Sequence, residues 1–275
     1  MKKVLSIILV VMLMFTLAGC SENNTSAKDE SVDSNQEQVV LRLGHIVKPD
    51  GPIAKAAVKF SEDVLEKTDG AVKIEVFDSS TLGSQRDLLE GLVIGTVDIT
   101  ISSPAVMSAV IPTVSVLDLP YIFRNTEHAY GVLDGELGKE IFAPFEAEGY
   151  QCISVWENGF RHITNSKKKI ESPADLNGLK IRVPESKVYI EMMKAMGASP
   201  TPMEFGELFT ALQNGTVDGQ ENPISQSYSS KFHEVQKYMT LDGHIYATQP
   251  VLISNKALEK IPEDMRQIVI DSANE

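Results

Sequence analysis

From Val39 onward, apolar residues either alternate with polar ones or recur at helical spacing along most of the chain. Val39 to Ile46 alternates and is rich in β-branched residues, which predicts a strand. Ile53, Ala56, Ala57, Phe60, Val64 and Leu65 share one helical face between Pro52 and Thr68, and Gly70 closes that segment. Val72 to Phe77 alternates as a strand, Arg86 to Ile94 has helical spacing, and Val97 to Ile101 is a short strand. Tyr130 to Gly149 is expected to be mainly helical, Gln151 to Trp156 a strand, and Pro173 to Leu176 a helical turn. A strand at Lys180 to Val183 precedes a helix at Val188 to Met196 that Gly197 ends. Phe205 to Gln213 is a further helix, followed by a strand at Val217. Val251 to Ser254 is a strand, and Pro262 opens a last helix. Strands that alternate with helices predict an α/β architecture.

The pattern contains an echo. Leu88 through Asp98 (Leu-Leu-Glu-Gly-Leu-Val-Ile-Gly-Thr-Val-Asp) is matched by Leu208 through Asp218 (Leu-Phe-Thr-Ala-Leu-Gln-Asn-Gly-Thr-Val-Asp). Each copy reads helix, glycine turn, short strand, and each runs on to a proline, Pro104 or Pro223. Helix–glycine–strand connections recur widely, so coincidence is one reading. The other is two similar lobes, each offering the carboxyl end of a strand to a shared crevice, where ligands of open α/β sheets bind. Two such lobes form a clamshell that closes about a hinge.

The N-terminus departs from this pattern. Lys2 and Lys3 precede an apolar run, Val4 to Leu17, which ends at Leu17-Ala18-Gly19-Cys20. A basic start, a short apolar stretch and small residues make an export signal, too short for a typical spanning helix. With Cys20 directly after Ala18-Gly19, the stretch resembles a bacterial lipoprotein signal, whose cysteine is lipidated. A plain secretory signal with an incidental cysteine is the alternative. Residues 21–38 are polar and acidic, a composition that cannot repay the entropy of ordering, and are read as a flexible tether. The mature chain is then expected to face outward, tethered to the outer face of the membrane through its lipid.

Composition narrows the function. The net charge of −13 argues against nucleic acid, and an anionic ligand would need a local positive site to override the global field. Hydrophobic content of 43% is ample for a core, and residues 39–275 exceed the usual single-domain size. With Cys20 lipidated, Cys152 has no disulfide partner and is read as a buried small hydrophobe. The five histidines (45, 128, 162, 233, 244) lack metal-ligand spacing, and no nucleophile elbow, phosphate loop or dinucleotide fingerprint occurs. No cofactor is implied.

Three polar residues sit at strand ends. Arg161 lies in Trp156-Glu-Asn-Gly-Phe-Arg161-His162, after a strand and an expected glycine turn. Arg182 lies in Lys180-Ile-Arg182-Val-Pro184 and faces away from its apolar neighbours. A guanidinium grips a carboxylate with two parallel hydrogen bonds that lysine cannot reproduce. Asn222, in Gln220-Glu-Asn222-Pro223, both donates and accepts. For each there is a plainer reading: a surface ion pair for the arginines and a turn residue before proline for Asn222.

Taken together, several segments resemble the solute-binding component of TRAP transporters, the tripartite ATP-independent periplasmic systems for organic acids. The resemblance runs from about Val39 to Glu275. It is carried by Ser80-Thr-Leu-Gly-Ser-Gln-Arg86, Gly95-Thr-Val-Asp98, Asp118-Leu-Pro-Tyr121, Asn158-Gly-Phe-Arg161, Gly178 to Pro184, Gly197 to Met203 and Ala211 to Pro223. It implies a two-lobed clamshell with Arg182 as the main carboxylate clamp, Arg161 assisting, Asn222 completing the polar grip and Phe205 covering the ligand. Glu221 and His244 match a supporting shell, and the hinge is expected near Asn158–Gly159 and Ala247–Gln249. The implied lobes are 39–158 plus 248–275, and 159–247. Sialic-acid binders of the family carry acidic residues where this chain has Gln85 and Ser103. The Trp156-to-Arg161 segment looks instead like members that bind hexuronates or keto-gulonate-type acids, with His45, Gln85 and Asn158 near the ligand. The implied partners are a small organic-acid anion and membrane permease subunits, with no catalysis. Four-carbon dicarboxylates, which would need a second cation at the far end, and a sensory role are the competing readings. An enzyme on a similar fold would turn its ligand over. Family members usually continue past Glu275, so a C-terminally truncated fragment is also an expectation.

Overall fold

The computed structural model describes residues 38–275. The signal segment with Cys20, and the tether up to residue 37, lie outside the described residues. Nine strands form one sheet: β1 (Val39–Gly44), β2 (Val72–Phe77), β3 (Ile99–Ile101), β4 (Tyr150–Asn165), β5 (Lys180–Val183), β6 (Ser199–Pro202), β7 (Gly219–Pro223), β8 (Tyr238–Thr240) and β9 (Tyr246–Ser254). Their order is β2-β1-β3-β9-β4-β7-β5-β6, and β8 pairs separately with β4. β1 pairs parallel with β2 and β3, and β5 pairs parallel with β6 and β7. Helices fill the crossovers between parallel strands, as such connections require.

β4 joins the two halves. Its first part, Tyr150 to Phe160, runs antiparallel to β9, and its last part, Arg161 to Asn165, runs antiparallel to β7. The expected glycine turn before Arg161 is therefore absent. Gly159 instead follows a bulge between Glu157 and Gly159 and takes φ 101°, a conformation open to glycine, so the strand kinks without losing its partner. β4 and β9 are accordingly much longer than Gln151–Trp156 and Val251–Ser254. β6 falls in the Ser199-Pro-Thr-Pro202 stretch, where prolines argue against a strand. It lies at the end of the strand order, where a missing N–H costs no ladder bond. β7 forms at Gly219–Pro223, just beyond the strand expected at Val217.

The echo is structural. The helices Gln85–Ile94 and Leu208–Gln213 lead through Gly95 (φ 90°) and Gly215 (φ 72°) into β3 and β7. Asp98 N–H donates to the Arg42 carbonyl at 3.0 Å, while Arg42 N–H donates to the Asp98 carboxylate at 2.8 Å. Asp218 repeats this with Lys180 at 2.8 and 2.9 Å. Each aspartate also meets a lysine, Lys260 at 2.6 Å and Lys167 at 3.4 Å. Both aspartates thus lock their strand beside the first strand of their own half.

Buried apolar residues gather on both halves. Leu41, Leu43, Phe60, Ile99, Val251 and Ile253 belong to the larger cluster. Ile181, Val183, Tyr189 and Met193 form a second, and Leu208, Leu212 and Phe232 a third. Cys152 packs against the larger cluster but is half-buried, because it also lines a surface groove, and its thiol donates to the Ser154 carbonyl at 3.3 Å. No helix among the described residues is long and apolar enough to cross a membrane.

Candidate functional site

The kinked β4 and the adjoining β7 bring Arg161, Glu221 and Asn222 together. Arg161 is buried and its guanidinium is held on two edges. Nε and Nη2 straddle the Glu221 carboxylate, with Nη2 2.9 Å from Oε1, and Nη2 also donates to the Glu221 carbonyl at 2.7 Å and to Asn222 Oδ1 at 3.1 Å. Glu221 Oε2 meets His244 Nε2 at 3.1 Å, and His244 Nδ1 meets Asp242 Oδ2 at 2.8 Å. Burial raises the Glu221 carboxyl, but Arg161 and His244 outweigh it, and Glu221 lies below the usual carboxylate range. Burial likewise lowers His244, yet Asp242 and Glu221 lift it above the ordinary histidine value. The chain Arg161–Glu221–His244–Asp242 is a continuous hydrogen-bonded network of acidic and basic groups.

Arg182 is placed differently. It lies on β5 between β6 and β7, and it is only 3% exposed. Its Nε and Nη2 both donate to the Met203 carbonyl, at 2.9 and 2.6 Å, and its guanidinium lies 5.8 Å from the centre of the Phe205 ring. No carboxylate among the described residues forms a salt bridge with it. Burial pushes its pKa down to about 10, against the pull of Glu221, and neighbouring Arg161 lowers it further. It stays charged at neutral pH. A buried cation without an ion-pair partner is costly, so an arriving anion gains more at Arg182 than at Arg161.

Gln85 is the first residue of its helix, fixed by a reciprocal cap between Ser84 and Asp87 that contributes about 1 kcal/mol. Its Oε1 accepts from Ser103 N–H at 3.2 Å, Ser103 Oγ at 3.1 Å and Ser102 Oγ at 3.3 Å. A backbone N–H can only donate, so this contact sets the amide orientation and leaves Nε2 as the outward group.

Arg161, Arg182, Asn222, Phe205 and Gln85 line one small cavity of about 40 Å³. Ser103, Gln226, Gln249 and the carboxylates of Glu185 and Glu204 complete its polar wall. Glu221 and His244 stand behind it. Asn158 also stands back, donating to Gln226 Oε1 at 2.7 Å. His45 is 1% exposed and does not line the cavity; its neighbour Ile46 does. Both His45 ring nitrogens lack a partner among the described residues, and burial lowers its pKa. Gln226 and Gln249 were missed from sequence. Gln226 sits one turn into the short helix Ile224–Ser229, which begins directly after Pro223, and that helix start was the available signal. A larger groove, about 930 Å³, runs beside Phe60 and Trp156 and holds none of these residues. Among the described residues no three potential metal ligands cluster.

A family model described as bacterial extracellular solute-binding protein, family 7 (DctP), matches residues 43–275. The 2,3-diketo-L-gulonate-binding periplasmic protein YiaO of Escherichia coli is 37% identical over 235 residues, covering 86% of this chain and 72% of that protein. The sugar acid binding protein DctPAm of Advenella mimigardefordensis, solved with galactonate, superposes with a TM-score of 0.84 at 39% identity, over 86% of this chain and 76% of that one. A TRAP periplasmic solute-binding protein of Sulfurospirillum deleyianum, solved with succinate, gives 0.83 at 35% identity, over 86% and 76%. Matching fold, matching order of segments and an arginine-lined cavity agree: the chain belongs to the DctP family of TRAP solute-binding proteins, two-lobed clamshell receptors that are not enzymes.

Proposed function

We propose that this chain captures a carboxylate-bearing sugar acid, of hexuronate or keto-gulonate type, and delivers it to membrane permease subunits. The observation that carries the reading is Arg182, a buried guanidinium with no carboxylate partner among the described residues, facing the same cavity as Arg161. In this reading Arg182 and Arg161 use Nη1, which neither spends on the described residues, to fix the ligand carboxylate. Asn222, Gln85, Gln226 and Gln249 meet its hydroxyl or keto oxygens, Phe205 covers it, and Glu221 and His244 hold Arg161 in place. His45 and Asn158 act from just outside the cavity.

The polar wall favours a sugar acid over a four-carbon dicarboxylate. Apart from Arg161 and Arg182, which are close enough for one to depress the other, no lysine, arginine or histidine lines the cavity. Amides, a hydroxyl and the carboxylates of Glu185 and Glu204 suit a polyhydroxylated tail, whereas a second ligand carboxylate calls for a second cation and would be repelled by the two glutamates.

Lobe boundaries at 39–158 plus 248–275, and 159–247, accord with the change of partner along β4 at Phe160–Arg161 and with the Gly159–Ala247 pairing opposite the bulge. Closure about these two crossings would exclude water and strengthen the arginine contacts. It is driven only by the ligand's higher affinity for the closed form. Cys20 would carry the lipid that keeps the receptor near its permease. Cys20→Ser should release the protein or leave its signal uncleaved, and normal processing with continued anchoring would overturn that part.

A thermal-shift panel of hexuronates, aldonates, keto-sugar acids, succinate and sialic acid tests the substrate class. A ligand at 100 times its Kd stabilises by about 2.7 kcal/mol. A shift with a sugar acid supports the reading, and a shift confined to succinate replaces it with dicarboxylate binding. Gln85→Glu in the same panel should weaken sugar-acid binding by roughly ten- to a hundredfold, because it exchanges an outward donor for a negative acceptor. Unchanged affinity would remove Gln85 from the site.

A further inference from the structure

Asp118 ends the short 3-10 turn Pro112–Asp118 and is 2% exposed. Its Oδ1 accepts from the Tyr189 hydroxyl at 3.1 Å, and its Oδ2 has no partner among the described residues. A buried carboxylate oxygen without a donor is rare and calls for an explanation. Tyr189, itself 2% exposed on the helix Lys187–Ala195, turns its ring toward Arg161, whose guanidinium carbon lies 5.2 Å from the ring centre. Three residues after Asp118, Tyr121 N–H donates to the His244 carbonyl at 2.9 Å, with Tyr121 held at φ 57°, an uncommon conformation for a bulky side chain. His244 is the residue that braces Glu221, and Glu221 holds Arg161. The loop from Asp118 to Tyr121 therefore reaches across to both supports of Arg161, one through a side chain and one through the backbone.

We propose that Asp118 is a positioning residue of the carboxylate site, linking one lobe to the other through Tyr189 and taking up a proton when a ligand carboxylate arrives beside Arg161. The inference rests on the assignment of Arg161 and Arg182 to ligand binding. The charged and titratable groups that face Asp118 are Arg161 from β4, Tyr189 from its helix and Glu221 from β7. Burial pushes its carboxyl up to about 7; Arg161 and the Tyr189 hydroxyl oppose that shift, and Glu221 adds to it. Near neutral pH the site therefore sits between its charged and neutral forms. An ionised Asp118 competes with the ligand for the field of Arg161, and a neutral one does not. Ligand binding favours the neutral form, so the proton comes from solvent and goes to the Asp118 carboxylate.

Isothermal titration of the wild-type protein with galactonate, D-glucuronate and D-galacturonate, at pH 6, 7, 8 and 9 in buffers of low and high ionisation enthalpy, tests this. Affinity should weaken by roughly three- to tenfold per pH unit above pH 7, with proton uptake on binding. Asp118→Asn, which still accepts from Tyr189, should flatten the profile and abolish the uptake. That variant also separates Asp118 from His244, which titrates within the neighbouring network. Tyr189→Phe keeps the ring beneath Arg161 but removes the hydroxyl, and should move the midpoint of the profile to higher pH. A flat wild-type profile without proton uptake would overturn the inference, as would a wild-type slope retained in Asp118→Asn. An unmoved midpoint in Tyr189→Phe would break the link to Tyr189. If the folded wild-type protein binds none of the three acids at any pH, the assignment of the arginines fails instead.

Discussion

Arg182→Lys should weaken sugar-acid binding roughly a hundredfold, about 2.7 kcal/mol, while leaving the fold intact. Lysine keeps the charge but presents a single ammonium without the planar fork that aims Nη1 at the ligand carboxylate. It also cannot make both of the bonds that now run from Nε and Nη2 to the Met203 carbonyl, so the cation loses its fixed direction. Because Arg182 has no ion-pair partner among the described residues, the change breaks no internal salt bridge. Calorimetric Kd values and far-UV circular dichroism of the two proteins separate the effects. Equal affinity would show that Arg182 is not the clamp, and a collapsed spectrum would make it a structural residue.

Glu221→Ala should act in the opposite manner, on stability first. It leaves Arg161 buried with its main counter-charge gone, and removing one partner of a buried pair costs about 3–5 kcal/mol. For a protein of this size that corresponds to a Tm lower by roughly 10 °C. His244 loses the same partner, so its raised pKa should fall back toward the ordinary value, and its remaining contact is Asp242. A saturating sugar acid should recover part of the lost Tm, since its carboxylate can neutralise the unpaired guanidinium. A Tm within 2 °C of wild type would mean that the network contributes little, as measured for many surface pairs and not expected for one this buried.

The two predictions differ because the two arginines differ in their partners, and that difference was only half visible in the chain. Sequence placed both arginines at strand ends among apolar neighbours, and resemblance assigned them a ligand. Which one is already neutralised depends on β4 meeting β7, a pairing between residues 60 positions apart, Arg161 and Glu221. The same holds for Gln85, whose neighbouring serines at 102 and 103 decide which end of its amide faces outward. Asp118 was noted only as part of Asp118-Leu-Pro-Tyr121, since nothing local marks a carboxylate that will be buried against a tyrosine 71 residues away.

What the sequence determined by itself is what neighbouring residues control. Apolar periodicity specified most strands and helices. The glycines at 95 and 215 specified two matching turns, because a residue in the left-handed region reverses the chain locally, whereas the aspartates at 98 and 218 that follow them find their partners, Arg42 and Lys180, only in the folded sheet. Tertiary structure alone decided that Gly159 kinks a continuous strand instead of ending one, that a proline-rich segment serves as an edge strand, and that Gln226 and Gln249 face the cavity while His45 does not. Each of these turns on a hydrogen bond or a burial shared with a distant part of the chain. Such partners leave no periodic trace in the local sequence, because the free energy that selects them is gained only when the two halves of the sheet come together.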